Sequence, residues 1–229
     1  MNSQYHAIKD FYSKLKFPGK YTIADLEYHH PLMRNMYLDA IDKHVDNNQQ
    51  VLDIGAGTGY IANLFANKYQ GSNFHAIDFS DSIKFGQDFA QQSNITNISF
   101  VQENFLNFDS HKQYDVIICQ GVLHHIPDYP LAVEKIKKYL KPDGVLLLGL
   151  YHPFGKLLQK ILPIDFGSKI LQTDQMHNPY ELWFTQKKVT KLFANMQLVN
   201  KYPTSAYCLN KSFIASGGLM LYVIRRQKI

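Results

Sequence analysis

Cysteine, arginine and long apolar runs are the scarce features of this chain of 229 residues. Its two cysteines, Cys119 and Cys208, match no disulfide framework, metal spacing or redox motif. A reducing, cytoplasmic setting is the simplest expectation. The glycosylation-like triplet Asn94-Ile95-Thr96 then carries no meaning. Only Arg34, Arg225 and Arg226 are arginines. Proteins that read nucleic acids lean on arginine for phosphates and base edges, so a nucleic-acid partner is disfavoured. The net charge of +5 admits an anionic partner without requiring one. Lysines 135, 137, 138 and 141, and 187, 188 and 191, recur at helical spacing and read as solvated helix faces. No apolar run approaches the roughly 20 residues of a membrane span, and the first residues show no signal-peptide pattern. Internal repeats and low-complexity tracts are absent, so one core, with or without an appendage, is expected.

The most informative stretch is Val51-Leu52-Asp53-Ile54-Gly55-Ala56-Gly57-Thr58-Gly59-Tyr60. A buried-strand run meets three alternating glycines, and a helix-compatible segment follows at once. Such a turn gathers backbone N–H groups and a helix N-terminus at one point. Glycine permits both the tight turn and the close approach of a ligand. A dinucleotide site would place a glycine where Tyr60 stands, and the phosphate loop would place a lysine after Gly59. Neither is present. Asp53, two residues before the first glycine, suits a cationic ammonium or sulfonium better than a pyrophosphate.

This segment resembles the first motif of the class I S-adenosylmethionine-dependent methyltransferases, and later motifs follow in order over residues 45–150. Phe74 to Asp78 reads as a second strand ending in an acid, nineteen residues after Gly59. Residues 98–101 read as a third strand before Glu103-Asn104-Phe105, and residues 114–120 as a fourth leading into Gly121-Val122-Leu123-His124-His125. The resemblance implies an α/β, Rossmann-like, doubly wound, mostly parallel seven-stranded sheet with its last strand antiparallel. It implies a methyltransferase that uses S-adenosylmethionine and releases S-adenosylhomocysteine. The implied cofactor residues are Asp53, Gly55, Gly57 and Gly59 in the first motif, Asp78 for the ribose, Phe79, Asn104 and Phe105 for the adenine, and Gln120 after the fourth strand.

Outside that region the pattern changes. Residues 1–48 form an aromatic, helical arm, with Ile8, Phe11, Tyr12 and Leu15 on one helix face and a second helix expected over residues 31–45. This arm is a candidate lid, with Tyr21 or Tyr28 reaching the ligand. Residues 49–229 form the cofactor-binding domain. Within it, residues 151–184 break the strand–helix alternation, with short helices expected over 156–162 and 167–172. A connection this long inside a compact domain is usually functional, and it reads as an insertion that builds the acceptor pocket. A last helix is expected over residues 187–194, capped by Thr185. The loop 203–218, with Tyr207, Lys211 and Phe213, also reaches toward the same edge in this reading.

Methyl transfer needs the acceptor held in line behind the methyl and a base near neutral pKa. His124, His125 and His152 are the catalytic candidates, each just past a strand. Packing roles compete for all three. Adjacent histidines point apart and no oxygen-rich cluster accompanies them, so no metal is expected. Asn178-Pro179-Tyr180 lacks the second proline of the motif used on exocyclic amines and follows the wrong strand. The expected partner is a small-molecule acceptor methylated at oxygen or nitrogen, with the chain a monomer or a homodimer. Two alternatives stand beside it. One is a tRNA- or RNA-modifying enzyme; the other is a cofactor-binding scaffold without transfer.

Overall fold

The computed structural model describes residues 3–28, 35–162, 168–204 and 218–227, with the side chains of Glu27, Tyr28 and Asn35 excepted. The expectations for Arg34, Cys208, Tyr207, Lys211 and Phe213 lie outside these residues, as do the pair His29-His30 and the Tyr28 side chain.

Seven strands form one sheet in the order β3-β2-β1-β4-β5-β7-β6. They are β1 (Gln50–Ile54), β2 (Asn73–Asp78), β3 (Ile98–Gln102), β4 (Tyr114–Gln120), β5 (Leu140–Tyr151), β6 (Met196–Tyr202) and β7 (Leu219–Arg226). β1 pairs in parallel with both β2 and β4, while β7 runs antiparallel to β5 and β6. The fold is therefore the mostly parallel sheet expected, with β7 as the reversed strand. Alternation along the strands divides the core by face. Leu52, Ile54, Ile117, Cys119, Leu146 and Leu148 pack on one side. Val51, Val116, Ile118, Val145 and Leu147 pack on the other. Strands covered on both faces read as continuous apolar runs, which is why residues 51–54 and 116–119 were legible.

Helices α4 (Tyr60–Lys68) and α5 (Ile83–Gln92) follow β1 and β2, and α6 (Tyr129–Tyr139) precedes β5. The arm contributes α1 (Ser3–Leu15), α2 (Ile23–Tyr28) and α3 (Asn35–Asp42). α3 falls inside the expected second helix, whose residues 31–34 are not described. α2 was not expected, although Thr22-Ile23-Ala24-Asp25 is a capping-box sequence. Asp25 Oδ2 accepts from both the N–H and the hydroxyl of Thr22. The insertion holds α7 (Pro153–Ile161) and α8 (Lys169–His177), the latter five residues longer than expected at its C-terminal end. α9 (Gln186–Leu192) carries the Thr185 cap, whose hydroxyl accepts from Lys188 N–H. β5 starts at Leu140, although Leu140-Lys141-Pro142-Asp143-Gly144 reads in sequence as a helix end and turn before a strand over 145–150. Asp143, at φ 63°, makes a left-handed turn inside β5 instead.

Candidate functional site

β1 lies between β2 and β4, so the connections leaving β1 and β4 diverge on opposite faces of the sheet. Such a switch point opens a crevice at the C-terminal strand ends. A cavity of about 210 Å³ occupies it, far above the roughly 10–15 Å³ one water needs.

The glycine loop forms the floor. Gly55, Gly57 and Gly59 all have positive φ, at 69°, 57° and 76°. A Cβ on Gly55 would strike the Val122 side chain, and one on Gly57 the Phe17 carbonyl oxygen. The missing side chains thus admit neighbouring parts of the protein, where close approach of a ligand was the expected reason. The loop's N–H groups are also engaged. Gly55 and Ala56 donate to Ile77 O, Gly57 to Asp78 Oδ2, Thr58 to Phe17 O and Gly59 to Ala56 O. A phosphate would find no free row of donors here.

The unpartnered groups are of the opposite kind. Buried Asp53 Oδ2, Gln120 Oε1 and His125 Nε2 have no hydrogen-bond partner among the described residues, and all three residues line the cavity. Burial, and then the nearby charge of Asp78, push the Asp53 carboxyl up to about 8, while the Ala62 N–H pulls it back. A ligand that fills this cavity well brings N–H or O–H donors and positive charge.

Asp78 also lines the cavity. Its Oδ1 accepts from the N–H and hydroxyl of Ser80, each at 2.7 Å, and its Oδ2 from Gly57 N–H at 2.7 Å. A carboxylate has about four acceptor sites, so Asp78 ties the loop to β2 and keeps room for one further donor. Burial raises its pKa and those hydrogen bonds oppose the rise. Phe79, Asn104 and Phe105 line the same end, with Lys9 Nζ 5.3 Å from the Phe79 ring centroid. Asn104 Oδ1 accepts from Leu106 N–H and so shapes its own turn.

Tyr21 and Gly59 do not line the cavity. Tyr21 is buried behind the loop, where its hydroxyl donates to Thr58 O and accepts from Asn63 Nδ2. Its ring packs against Tyr60, Phe85 and Phe89. The expectation that Tyr21 reaches the ligand is corrected accordingly: it braces the loop. The hydroxyl of Thr58 donates to Gly19 O, a second tie between arm and loop.

The three histidines separate. His125 lines the cavity. Its Nδ1 lies 2.8 Å from the Tyr180 carbonyl oxygen, which can only accept, so Nδ1 carries the hydrogen and Nε2 keeps the lone pair. Burial depresses its pKa to about 4, and the Tyr180 hydrogen bond opposes that fall. The ring is therefore neutral near pH 7. His124 is fully buried and does not line the cavity. It packs between rings, with centroids 3.9 Å from Tyr151 and 4.1 Å from His125. His152 does not line it either; its ring nitrogen caps α7 by accepting from Phe154 N–H. Steric enclosure removes His124, and a capping role displaces His152.

Residues not named as site candidates in the sequence complete the wall. Tyr5, Ile8, Lys9 and Tyr12 of α1 line the cavity, as do Tyr151 at the end of β5 and Leu171, Asp174 and Gln175 of α8. Tyr12 donates to Asp174 Oδ1 at 3.0 Å and Tyr151 to Asp174 Oδ2 at 2.9 Å. Asn178 Nδ2 donates to Tyr12 Oη at 2.6 Å. The arm, the insertion and the glycine loop thus share one cavity.

Known proteins agree with this architecture. A family model described as a methyltransferase domain matches residues 45–202. A malonyl-[acyl-carrier protein] O-methyltransferase of Acetivibrio thermocellus is 25% identical over 163 residues, 70% of this chain and 56% of its own length. An (S)-coclaurine N-methyltransferase of Papaver somniferum is 25% identical over 117 residues, 51% of this chain and 33% of its own length. The chain spans about half the length, or less, of such curated relatives. Among solved structures, the N-methyltransferase NodS of Bradyrhizobium japonicum, in complex with S-adenosyl-L-homocysteine, superposes with a TM-score of 0.65 at 15% identity, covering 99% of this chain and 100% of its own. A Burkholderia thailandensis 1,6-didemethyltoxoflavin-N1-methyltransferase also reaches 0.65 at 20% identity, covering 97% and 88%. The chain belongs to the class I S-adenosylmethionine-dependent methyltransferase family.

Proposed function

We propose that this protein binds S-adenosylmethionine in the cavity and transfers its methyl group to an oxygen or nitrogen of a small molecule. The observation that carries the reading is the set of orphaned buried acceptors, Asp53 Oδ2, Gln120 Oε1 and His125 Nε2, along a crevice that the glycine loop floors. The bound cofactor would supply a methyl on a positively charged sulfur. Asp53 and Gln120 fit its ammonium, Asp78 a ribose hydroxyl, and Phe79, Asn104 and Phe105 the adenine. His125 holds its Nε2 lone pair ready for the proton that the acceptor loses, because the Tyr180 carbonyl fixes the other nitrogen as a donor. Residues of α1 and α8 line the same cavity as His125.

The organisation that supports this reading is an arm of residues 1–48 closing on a cofactor domain of residues 49–229. Residues 151–184 shape the acceptor side in it. No described helix is long and apolar enough to cross a membrane. Cys119 is buried and free, and burial pushes its thiol up to about 12; the proposed cytoplasmic setting rests on the scarcity of cysteine instead.

Equilibrium binding of S-adenosylhomocysteine, with NAD as competitor, tests the proposal. Saturable binding that NAD does not displace supports it. Displacement by NAD, or no binding of S-adenosylmethionine or its product, overturns it.

A further inference from the structure

The far half of the cavity bears on whether oxygen or nitrogen receives the methyl. Lys156 is buried, and its Nζ pairs with Glu181 Oε2 at 2.8 Å. That ammonium also donates to the Gln175 carbonyl oxygen at 3.2 Å. Asp174 is just 5% exposed and forms no ion pair among the described residues. Buried Asp174 and partly buried Glu181 therefore share one ammonium, and the described residues here are one positive charge short. Tyr12 and Tyr151 donate to the two oxygens of Asp174, and Gln175 Nε2 adds a bond to Oδ2 at 3.2 Å. Burial raises the Asp174 pKa, and these neutral donors together with the nearby Lys156 charge oppose the rise, so an added positive charge would favour its carboxylate form. The neutral donors fill three of about four acceptor sites, so one stays open on a residue that lines the cavity.

A second observation is independent of the acids. His125 Nε2 is a buried lone pair without a partner, on a ring whose centroid lies 5.7 Å from that of Tyr12. An arriving N–H donor satisfies it. Among the described residues, the charged ones lining the cavity are Asp53, Asp78, Glu103 and Asp174 against Lys9. The cofactor's own positive charge would answer the first of these, whereas Asp174 stands on the arm and insertion side.

We infer that the acceptor is an alkyl amine that enters as its ammonium, with Asp174 as its counter-charge and the rings of Tyr12 and Tyr151 beside it. An alcohol leaves the buried carboxylate unpaired, and a carboxylic acid places a like charge against it. Cationic groups are further favoured over aromatic faces. Before attack the nitrogen loses one proton: an N–H bond breaks, the proton goes to the Asp174 carboxylate that paired with the ammonium, the electron pair stays on nitrogen, and a remaining N–H donates to His125 Nε2. This assignment rests on the proposed methyl transfer for the use of that nitrogen, whereas the recognition of the ammonium stands on the cavity itself.

The test titrates the full chain with 2-phenylethylamine, 2-phenylethanol and 3-phenylpropanoate, each with and without S-adenosylhomocysteine. The amine is expected to bind at least about ten-fold tighter than the alcohol, and the acid weakest. Asp174→Asn should bring the amine down to the alcohol's affinity while the affinity for S-adenosylhomocysteine stays within about three-fold. Equal binding of amine and alcohol by the wild type overturns the inference, and that comparison needs no variant to fold. An amine preference that survives in Asp174→Asn overturns it equally. Failure of S-adenosylhomocysteine to bind, with the amine preference intact and dependent on Asp174, would sink the methyl-transfer reading and leave the ammonium site standing.

Discussion

The two halves of the cavity are made in different ways. The half proposed for the cofactor comes from strand ends and the turns right after them: Asp53 to Gly57, Asp78 with Phe79, and Asn104 with Phe105. The half proposed for the acceptor is assembled from pieces far apart in the chain. Tyr12 and Asp174 meet across 162 positions, and His125 reaches the Tyr180 carbonyl across 55. One half is a local consequence of strand–turn–helix geometry; the other exists only after the arm and the insertion have closed on the sheet. Substitutions in each half should therefore separate binding of the cofactor from turnover.

The largest effect is expected at His125. Replacing a positioned base costs typically 10²- to 10⁴-fold in rate. His125→Gln should lose turnover on that scale and keep its affinity for S-adenosylhomocysteine within about three-fold, as read by steady-state kinetics beside calorimetry. An equal loss in both would merge the halves. The burial of His125 also sets a pH dependence. Its folded pKa of about 4 lies below the ordinary histidine value of 6.5. The unfolded chain binds the extra proton in that window, so its contribution to stability is lost as pH falls from about 6.5 to about 4.

Next in size is Asp78→Ala. A charge-assisted hydrogen bond is worth roughly 1.5–3 kcal/mol, so cofactor affinity should fall about ten- to a hundred-fold. The Gly57 N–H loses its acceptor in the same variant, and its hydrogen exchange should accelerate. Unchanged affinity would leave Asp78 as a loop tether alone.

How much of this was legible follows the same divide. The buried runs of β1 and β4, the glycine spacing and Asp78 lie in continuous sequence, and their pattern is local. The engagement of the Thr58 N–H was hidden, because its acceptor Phe17 comes from the arm. Tyr21 could be seen to belong near the loop, yet only packing shows that it sits behind it. No spacing rule joins Tyr12, Tyr151 and Asp174. The pair His124-His125 looked equivalent in sequence; a carbonyl from the insertion and the ring of Tyr151 distinguish them. α2 was readable from its capping box and was missed.

A smaller effect is expected at Gly55. Alanine there must adopt a left-handed backbone and displace Val122, a strain of about 1–3 kcal/mol. Chemical denaturation should show it, together with weakened cofactor binding. The smallest belongs to His152→Ala. Loss of an N-cap costs about 0.5–2 kcal/mol, and turnover at saturating cofactor should be unchanged, since the ring caps α7 outside the cavity. A large loss of rate would return His152 to the chemistry.

Asp53 offers the most direct test of the claim that this cavity holds the amino-acid end of S-adenosylmethionine. Its folded pKa is about 8, raised from 3.8. Its contribution to stability is therefore full at low pH and lost as pH rises from about 4 to about 8. A ligand ammonium placed against it favours the ionised carboxylate, so binding near pH 7 should release a proton. Calorimetric titration with S-adenosylhomocysteine at pH 7, in two buffers of different ionisation enthalpy, reads this at once. The account predicts saturable binding whose apparent enthalpy differs between the buffers by the release of up to about one proton, a difference abolished in Asp53→Asn. Absence of binding in both buffers, or binding without proton release from the wild type, would contradict it.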